Sequence, residues 1–134
     1  MFTDNVLREL LNYSSPDPVL SVYMNTDMTE GTIDALKLRL RTLLKEVQLP
    51  KDEAAILKYF ETEREWTGRS IAMFSCAAQK YFRAFPIAVP VRSRIFVGEQ
   101  PYVKPLADLL DAYGGYGVAL VDKQGARLFQ FHLG

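Results

Sequence analysis

Few side chains in this 134-residue sequence have both the type and the spacing that chemistry needs. The single cysteine, Cys76, ends the apolar run SIAMFSC over 70–76, and the single histidine, His132, stands near the other end of the numbering. A reactive thiol needs an activating base or cation and access to solvent, so Cys76 reads as a buried structural residue. His132 alternates with Phe131 and Leu133 and has no positioned partner for general-base work. The stretch Gly114-Gly115-Tyr116-Gly117 has the glycines of a phosphate loop but leads into a strand. Phosphate loops present their N–H groups at a helix start, so a helix end and tight turn is the better reading. Glu61, Glu63 and Glu65 lack converging ligands and read as a solvated face. Ser14, Ser15, Ser70 and Ser75 show no nucleophile-elbow pattern. The residues therefore predict no catalytic group, no metal and no cofactor.

Charge is the more informative signal. Sixteen Lys and Arg balance sixteen Asp and Glu, with a pI near 6.6, so the chain lacks the global basic charge of a self-sufficient nucleic-acid binder. The cations are nevertheless uneven. Lys37, Arg39, Arg41, Lys45 and Lys51 outnumber the acids over 30–51, and Lys80, Arg83, Arg92, Arg94 and Lys104 face Glu99 alone over 70–104. The two stretches could form one patch that touches phosphates, with Lys37, Arg41, Lys45, Lys51, Arg92 and Arg94 as the candidate contacts. The competing reading is a set of ordinary solvated faces on a neutral domain.

The elements that must position these residues follow from hydrophobic period and turn chemistry. Asp4 to Tyr13 spaces Val6, Leu7, Leu10 and Leu11 as a short amphipathic helix, broken by Ser14-Ser15-Pro16-Asp17-Pro18. Val19 to Asn25 reads as a strand. Thr32 to Gln48 is the strongest helix, with Ile33, Leu36, Leu40, Leu43, Leu44 and Val47 in one stripe and Lys37, Arg41 and Lys45 four apart outside it. A second helix spans about Asp52 to Glu65. Leu49-Pro50-Lys51 is so short a link that the two must form an antiparallel helical hairpin. Strands follow at 70–76, 81–85 and 92–97. Pro86 and Pro90 lack ladder donors and mark the middle one as an edge or irregular strand. Pro101 opens a helix buried through Val103, Leu106, Leu109 and Leu110. The predicted fold class is α+β, a mixed β-sheet from strands near 19–26, 70–76, 80–89 and 92–98 with the helical hairpin and further helices packed on it.

The last residues read as a β-hairpin: strand 116–122, turn Asp122-Lys123-Gln124-Gly125, strand 126–133. A lone hairpin is marginal in water. The expected division is therefore a domain over 1–115 and, over 116–134, the first hairpin of a truncated second domain; the alternative is that the hairpin completes the first domain's own sheet. The opening run MFTDNVLREL has no hydrophobic signal core, and no apolar run approaches a membrane span, so a cytoplasmic protein is expected.

From residue 92 onward the order is basic strand RSRIFVGE, helix PYVKPLADLLDAY, then YGVALVDKQGARLFQFHLG. This resembles the junction of the first and second domains in the archaeal and eukaryotic class 1 peptide chain release factors and their relative Pelota, in particular bacterial members of that superfamily. The shared motif is the hairpin Val121-Asp122-Lys123-Gln124-Gly125-Ala126. Upstream, the helical hairpin followed by SIAMFSC resembles the release-factor N-terminal domain. The departures limit what is implied. The decoding motif Asn-Ile-Lys-Ser is replaced at the hairpin tip by Leu49-Pro50-Lys51-Asp52, and the Tyr-x-Cys motif is missing, so stop-codon reading is not implied. The catalytic Gly-Gly-Gln loop of the family lies beyond the hairpin, so no catalytic residue carries over.

The resemblance implies an N-terminal recognition domain, non-catalytic by itself. It would bind the ribosome or tRNA and position a peptidyl-tRNA-hydrolysing domain in translation termination or ribosome rescue. RNA contact is then expected on the helical hairpin. A second reading, from the residues, is a protein-interaction or homodimerisation module whose C-terminal hairpin pairs with a second copy through its exposed edges.

Overall fold

The computed structural model describes residues 4–27, 32–63 and 68–112. The element order is α1 (Asp4–Asn12), β1 (Val19–Asn25), α2 (Ile33–Leu44), α3 (Pro50–Lys58) with a π-helical extension Tyr59–Glu63, β2 (Ser70–Cys76), β3 (Tyr81–Ile87), β4 (Arg94–Gly98) and α4 (Lys104–Ala112). The expected C-terminal hairpin and the boundary at 115/116 lie outside the described residues.

The four strands form one sheet in the order β3-β2-β1-β4. The class is α+β as expected, but the sheet is not mixed: β1–β2, β1–β4 and β2–β3 are all antiparallel. The connections explain this. Between β1 and β2 the chain makes two helices, one outbound and one returning, so Ser70 arrives beside Asn25, the residue where β1 ended. A single helix would have delivered it to the far end and made a parallel pair. β2 turns tightly into β3 through the 3₁₀ segment Ala77–Gln79 and Lys80, whose φ of 54° is left-handed. The loop 88–93 then crosses the sheet end from β3 to β4. It is pinned to the strands it passes: Val91 N–H donates to Ser70 Oγ at 2.6 Å, and Asn25 N–H to Ser93 Oγ at 2.9 Å.

Helices cover both faces. Val19 and Tyr23 of β1, Ala72, Phe74 and Cys76 of β2 and Tyr81, Phe85 and Ile87 of β3 pack with Leu7 and Leu10 of α1 and Leu106 of α4. Leu20, Val22 and Met24, with Ile71 and Met73, pack on the opposite face with Leu36, Leu40 and Leu44 of α2, then Val47, Ile56 and Phe60. Both central strands are thus buried on both sides, which is why SIAMFSC is nearly continuous in apolar residues. Fully burying one such side chain contributes about 1.5–3 kcal/mol.

The helical hairpin is shorter than its period predicts. α2 is capped by Thr32, whose Oγ1 accepts from Ala35 N–H at 3.2 Å. It ends at Leu44 rather than Gln48 because Pro50 starts the next helix. The residue before a proline is pushed out of the helical region, and Leu49 sits at φ −131° and ψ 76°. Its N–H donates to Glu53 Oε2 at 3.1 Å, which satisfies a backbone donor at the helix start. α3 then widens into the π-turn, where each turn takes an extra residue. That leaves Phe60 in the core and Glu61 beside α2.

Candidate functional site

Among the described residues no group of three His, Cys, Asp or Glu could hold a metal ion, and no helix is long and apolar enough to cross a membrane. Cys76 is buried, with Sγ 3.5 Å from Ser15 Oγ and 3.8 Å from the Asp17 carbonyl. Among the described residues no cation or imidazole is hydrogen-bonded to it. The perturbed tyrosines are poor acid–base groups at neutral pH. Burial drives the Tyr23 phenol well above its ordinary value, and burial with the nearby Glu9 carboxylate pushes Tyr81 up to about 12.

The basic candidates divide. Lys37, Arg41 and Lys45 follow one flank of α2, beside the buried Leu36, Leu40 and Leu44. Arg41 is committed to Glu61 of the π-turn at 2.6 Å, while Lys37 and Lys45, one turn either side, have no ion-pair partner among the described residues. Lys51 is exposed in the first turn of α3. It borders a hollow of about 260 Å³ formed by the hairpin tip and Ala77-Ala78. The neighbouring Asp52 is buried and fastens this tip to the sheet. Its Oδ1 accepts from Ser75 Oγ at 2.6 Å and from Ala77 N–H at 2.7 Å. The sequence marked Asp52 as a helix-start acid; its distant partners carried no local signal.

Arg94 is not brought to the α2 flank. Pairing of Tyr23 with Arg94 puts its side chain on the α1/α4 face, where the guanidinium carbon lies 5.8 Å from the Tyr102 ring centroid. Arg92 is exposed in the loop just before β4. The six candidates therefore form at least two groups on different sides of the sheet, not one patch.

Two aromatics that charge reasoning passed over accompany Arg94. Phe96 stacks on Tyr102 with centroids 4.2 Å apart and planes 10° from parallel. Tyr102 is itself held by β1: its N–H donates to Ser21 Oγ at 2.9 Å, and the buried Tyr23 hydroxyl donates to its carbonyl. Yet Phe96 is 49% exposed and Val97 46% exposed, on a strand with no further neighbour among the described residues. Phe96 stands between two hollows. One, about 450 Å³, is lined by residues 46–49 and Ile95–Val97; the other, about 320 Å³, runs from Gly98 to Tyr102. The reading of 92–97 as a strand put Phe96 on it, but its exposure and its seat on Tyr102 depend on residues outside that strand.

Comparison with curated proteins gives no match. A family model does match: bacterial archaeo-eukaryotic release factor family 10, over residues 101–134, a stretch that begins at Pro101 beside this aromatic seat and includes α4. It coincides with the helix-and-hairpin order that resembled the release factors, and it supports release-factor-like membership of the chain.

Proposed function

We propose that this chain is the N-terminal recognition domain of a release-factor-like protein and that it binds the ribosome or tRNA in translation termination or rescue. The observation that carries the reading is the family match over 101–134, which supports a translation-related role and ribosome interaction in general terms. On this reading the domain spans 1–115 and 116–134 opens the next one. The protein works in the cytoplasm, and any peptidyl-tRNA hydrolysis belongs to the following domain.

The α2 flank and hairpin tip are the first RNA contact, through Lys37, Lys45 and Lys51. Arg41 shares its charge with Glu61, and Arg92 and Arg94 act separately at the β4 side. Phosphate contacts made by unpaired lysines are lost steeply as salt rises, because each releases condensed counterions. The test is co-sedimentation with ribosomes of the wild type and of a Lys37→Glu, Lys45→Glu, Lys51→Glu variant at increasing salt. The expected result is salt-sensitive pelleting that the triple variant loses. Equal pelleting of both proteins would remove the α2 flank from the interface.

A protein-interaction module is the second reading. It is favoured by the exposed Phe96 and Val97 on the side of β4 that has no partner strand among the described residues, since such an edge can template another strand. Salt-independent self-association would favour it over RNA binding.

A further inference from the structure

We infer that Phe96, seated on Tyr102 at the β4 edge, is a stacking platform for an unpaired RNA base, with Arg92, Arg94 and Lys104 taking the adjoining phosphates. The choice of RNA as partner rests on the function proposed above; the site itself rests on geometry.

One face of the Phe96 ring is occupied by Tyr102, and nearly half of the residue remains exposed. An exposed aromatic normally costs something and is free to turn. This one is fixed, because Tyr102 is tied at both its N–H and its carbonyl to side chains of the central strand β1. Preorganisation of that kind means little rotamer freedom is lost when a second ring stacks. The two hollows beside Phe96, about 450 and 320 Å³, lie in the range of roughly 300–1,000 Å³ usual for small-ligand clefts.

The charges around the ring are sorted. Arg94 lies over the Tyr102 ring and has no carboxylate partner among the described residues, and neither has Arg92. Lys104 pairs with Asp108 at 2.9 Å, but both are well exposed, so the pair is easily exchanged for a phosphate. The acids lie in the hollows: Glu46 lines the larger and Glu99 the smaller. Carboxylates there repel the backbone and accept from exocyclic amino groups, as they do from cytosine. A base bearing an exocyclic amino group, cytosine, adenine or guanine, is therefore preferred over uracil. Stacking supplies the affinity, cations guide the strand, and the acids select the base edge.

The test uses the whole 134-residue chain and fluorescein-labelled twelve-nucleotide oligocytidylate and oligouridylate, read by fluorescence anisotropy. Oligocytidylate should bind more tightly than oligouridylate. Phe96→Ala should weaken oligocytidylate binding about five- to one-hundred-fold, the usual effect of losing one base–aromatic stack. Phe96→Tyr should restore it, while Phe96→Leu, apolar but without a ring, should not. Phe96 is half exposed, so all three variants should keep the wild-type thermal midpoint. Ribosome co-sedimentation is run in parallel. Binding of oligonucleotide that is indifferent to Phe96→Ala, with ribosome pelleting intact, overturns the platform and leaves the proposed function standing. Phe96-dependent oligonucleotide binding without pelleting does the reverse. Loss of self-association in Phe96→Ala, seen by sedimentation velocity with RNA binding unchanged, also overturns the platform and assigns the ring to strand pairing between copies.

Discussion

Among the described residues the sheet has two edges, and they are finished differently. β3 is closed by several devices. Pro86 removes a ladder donor, Arg83 is held by Glu9 of α1 at 2.9 Å, and the same guanidinium lies 4.7 Å from the Tyr81 ring centroid. Tyr13 stacks on the same Tyr81 ring, 3.9 Å between centroids. β4 has no proline and leaves Phe96 and Val97 half exposed. An unpaired strand edge invites other chains, so proteins usually blunt it. One edge is blunted; the other carries a seated aromatic, cations without a carboxylate partner among the described residues, and two hollows, the features on which the proposed base platform rests. The release-factor family match begins at Pro101, directly after β4.

The comparison can be broken by opening β3 while β4 serves as the internal reference. Asp52→Ala has the largest expected effect. It leaves Ser75 Oγ and Ala77 N–H without their acceptor at the turn into β3. Hydrogen bonds to a charged group contribute about 1.5–3 kcal/mol each, so a loss of about 3 kcal/mol is expected in urea unfolding. Amide exchange should quicken at β2 and β3 before β4.

Tyr81→Phe should act in the opposite direction. The Tyr81 hydroxyl is buried and has no hydrogen-bond partner among the described residues, so removing it should raise stability by about 1 kcal/mol at neutral pH. It should also change the alkaline limb. With its pKa pushed up to about 12 in the fold, against 10 in the unfolded chain, Tyr81 binds its proton more tightly when folded. That contribution is complete below pH 10 and is lost as pH rises from 10 to 12. Thermal midpoints measured across that window should fall less steeply in Tyr81→Phe than in the wild type.

The smallest effect belongs to Glu9 and Arg83. Their side chains are 41% and 44% exposed, so a double-mutant cycle should give a coupling of only about 0.5 kcal/mol despite the two-pronged geometry. The pair shields an edge more than it stabilises the fold. Losing it should show first as self-association, seen by sedimentation velocity.

How much of this was legible beforehand varies with the range of the interaction. Of the stripe read as Ile33, Leu36, Leu40, Leu43, Leu44 and Val47, all but the exposed Ile33 and the partly buried Leu43 are buried, and SIAMFSC formed a strand as its composition predicts. Pro86 announced an edge strand correctly, because a missing donor is a property of one residue. The early end of α2 was legible in principle from Pro50, but the apolar period through Val47 masked it. The π-turn at Tyr59–Glu63 left no signal. The candidate site was read in part. Lys37, Arg41 and Lys45 were seen as one flank, yet the commitment of Arg41 to Glu61 depends on a residue from another helix.

The sequence by itself determined which segments are helices and strands, which side chains need burial, and the family likeness of the last third. Those are consequences of local propensity and period. Only the tertiary structure decided the order β3-β2-β1-β4, its uniformly antiparallel sense and the face each strand residue occupies. A strand's alternation says that Arg94 and Phe96 share a side, but not which side. That is settled when Tyr23 is set against Arg94 and Tyr102 is seated by Ser21 and Tyr23, pairings between residues far apart in the chain. Long-range register of this kind is fixed by the packing of both faces together, and no local window of sequence contains it.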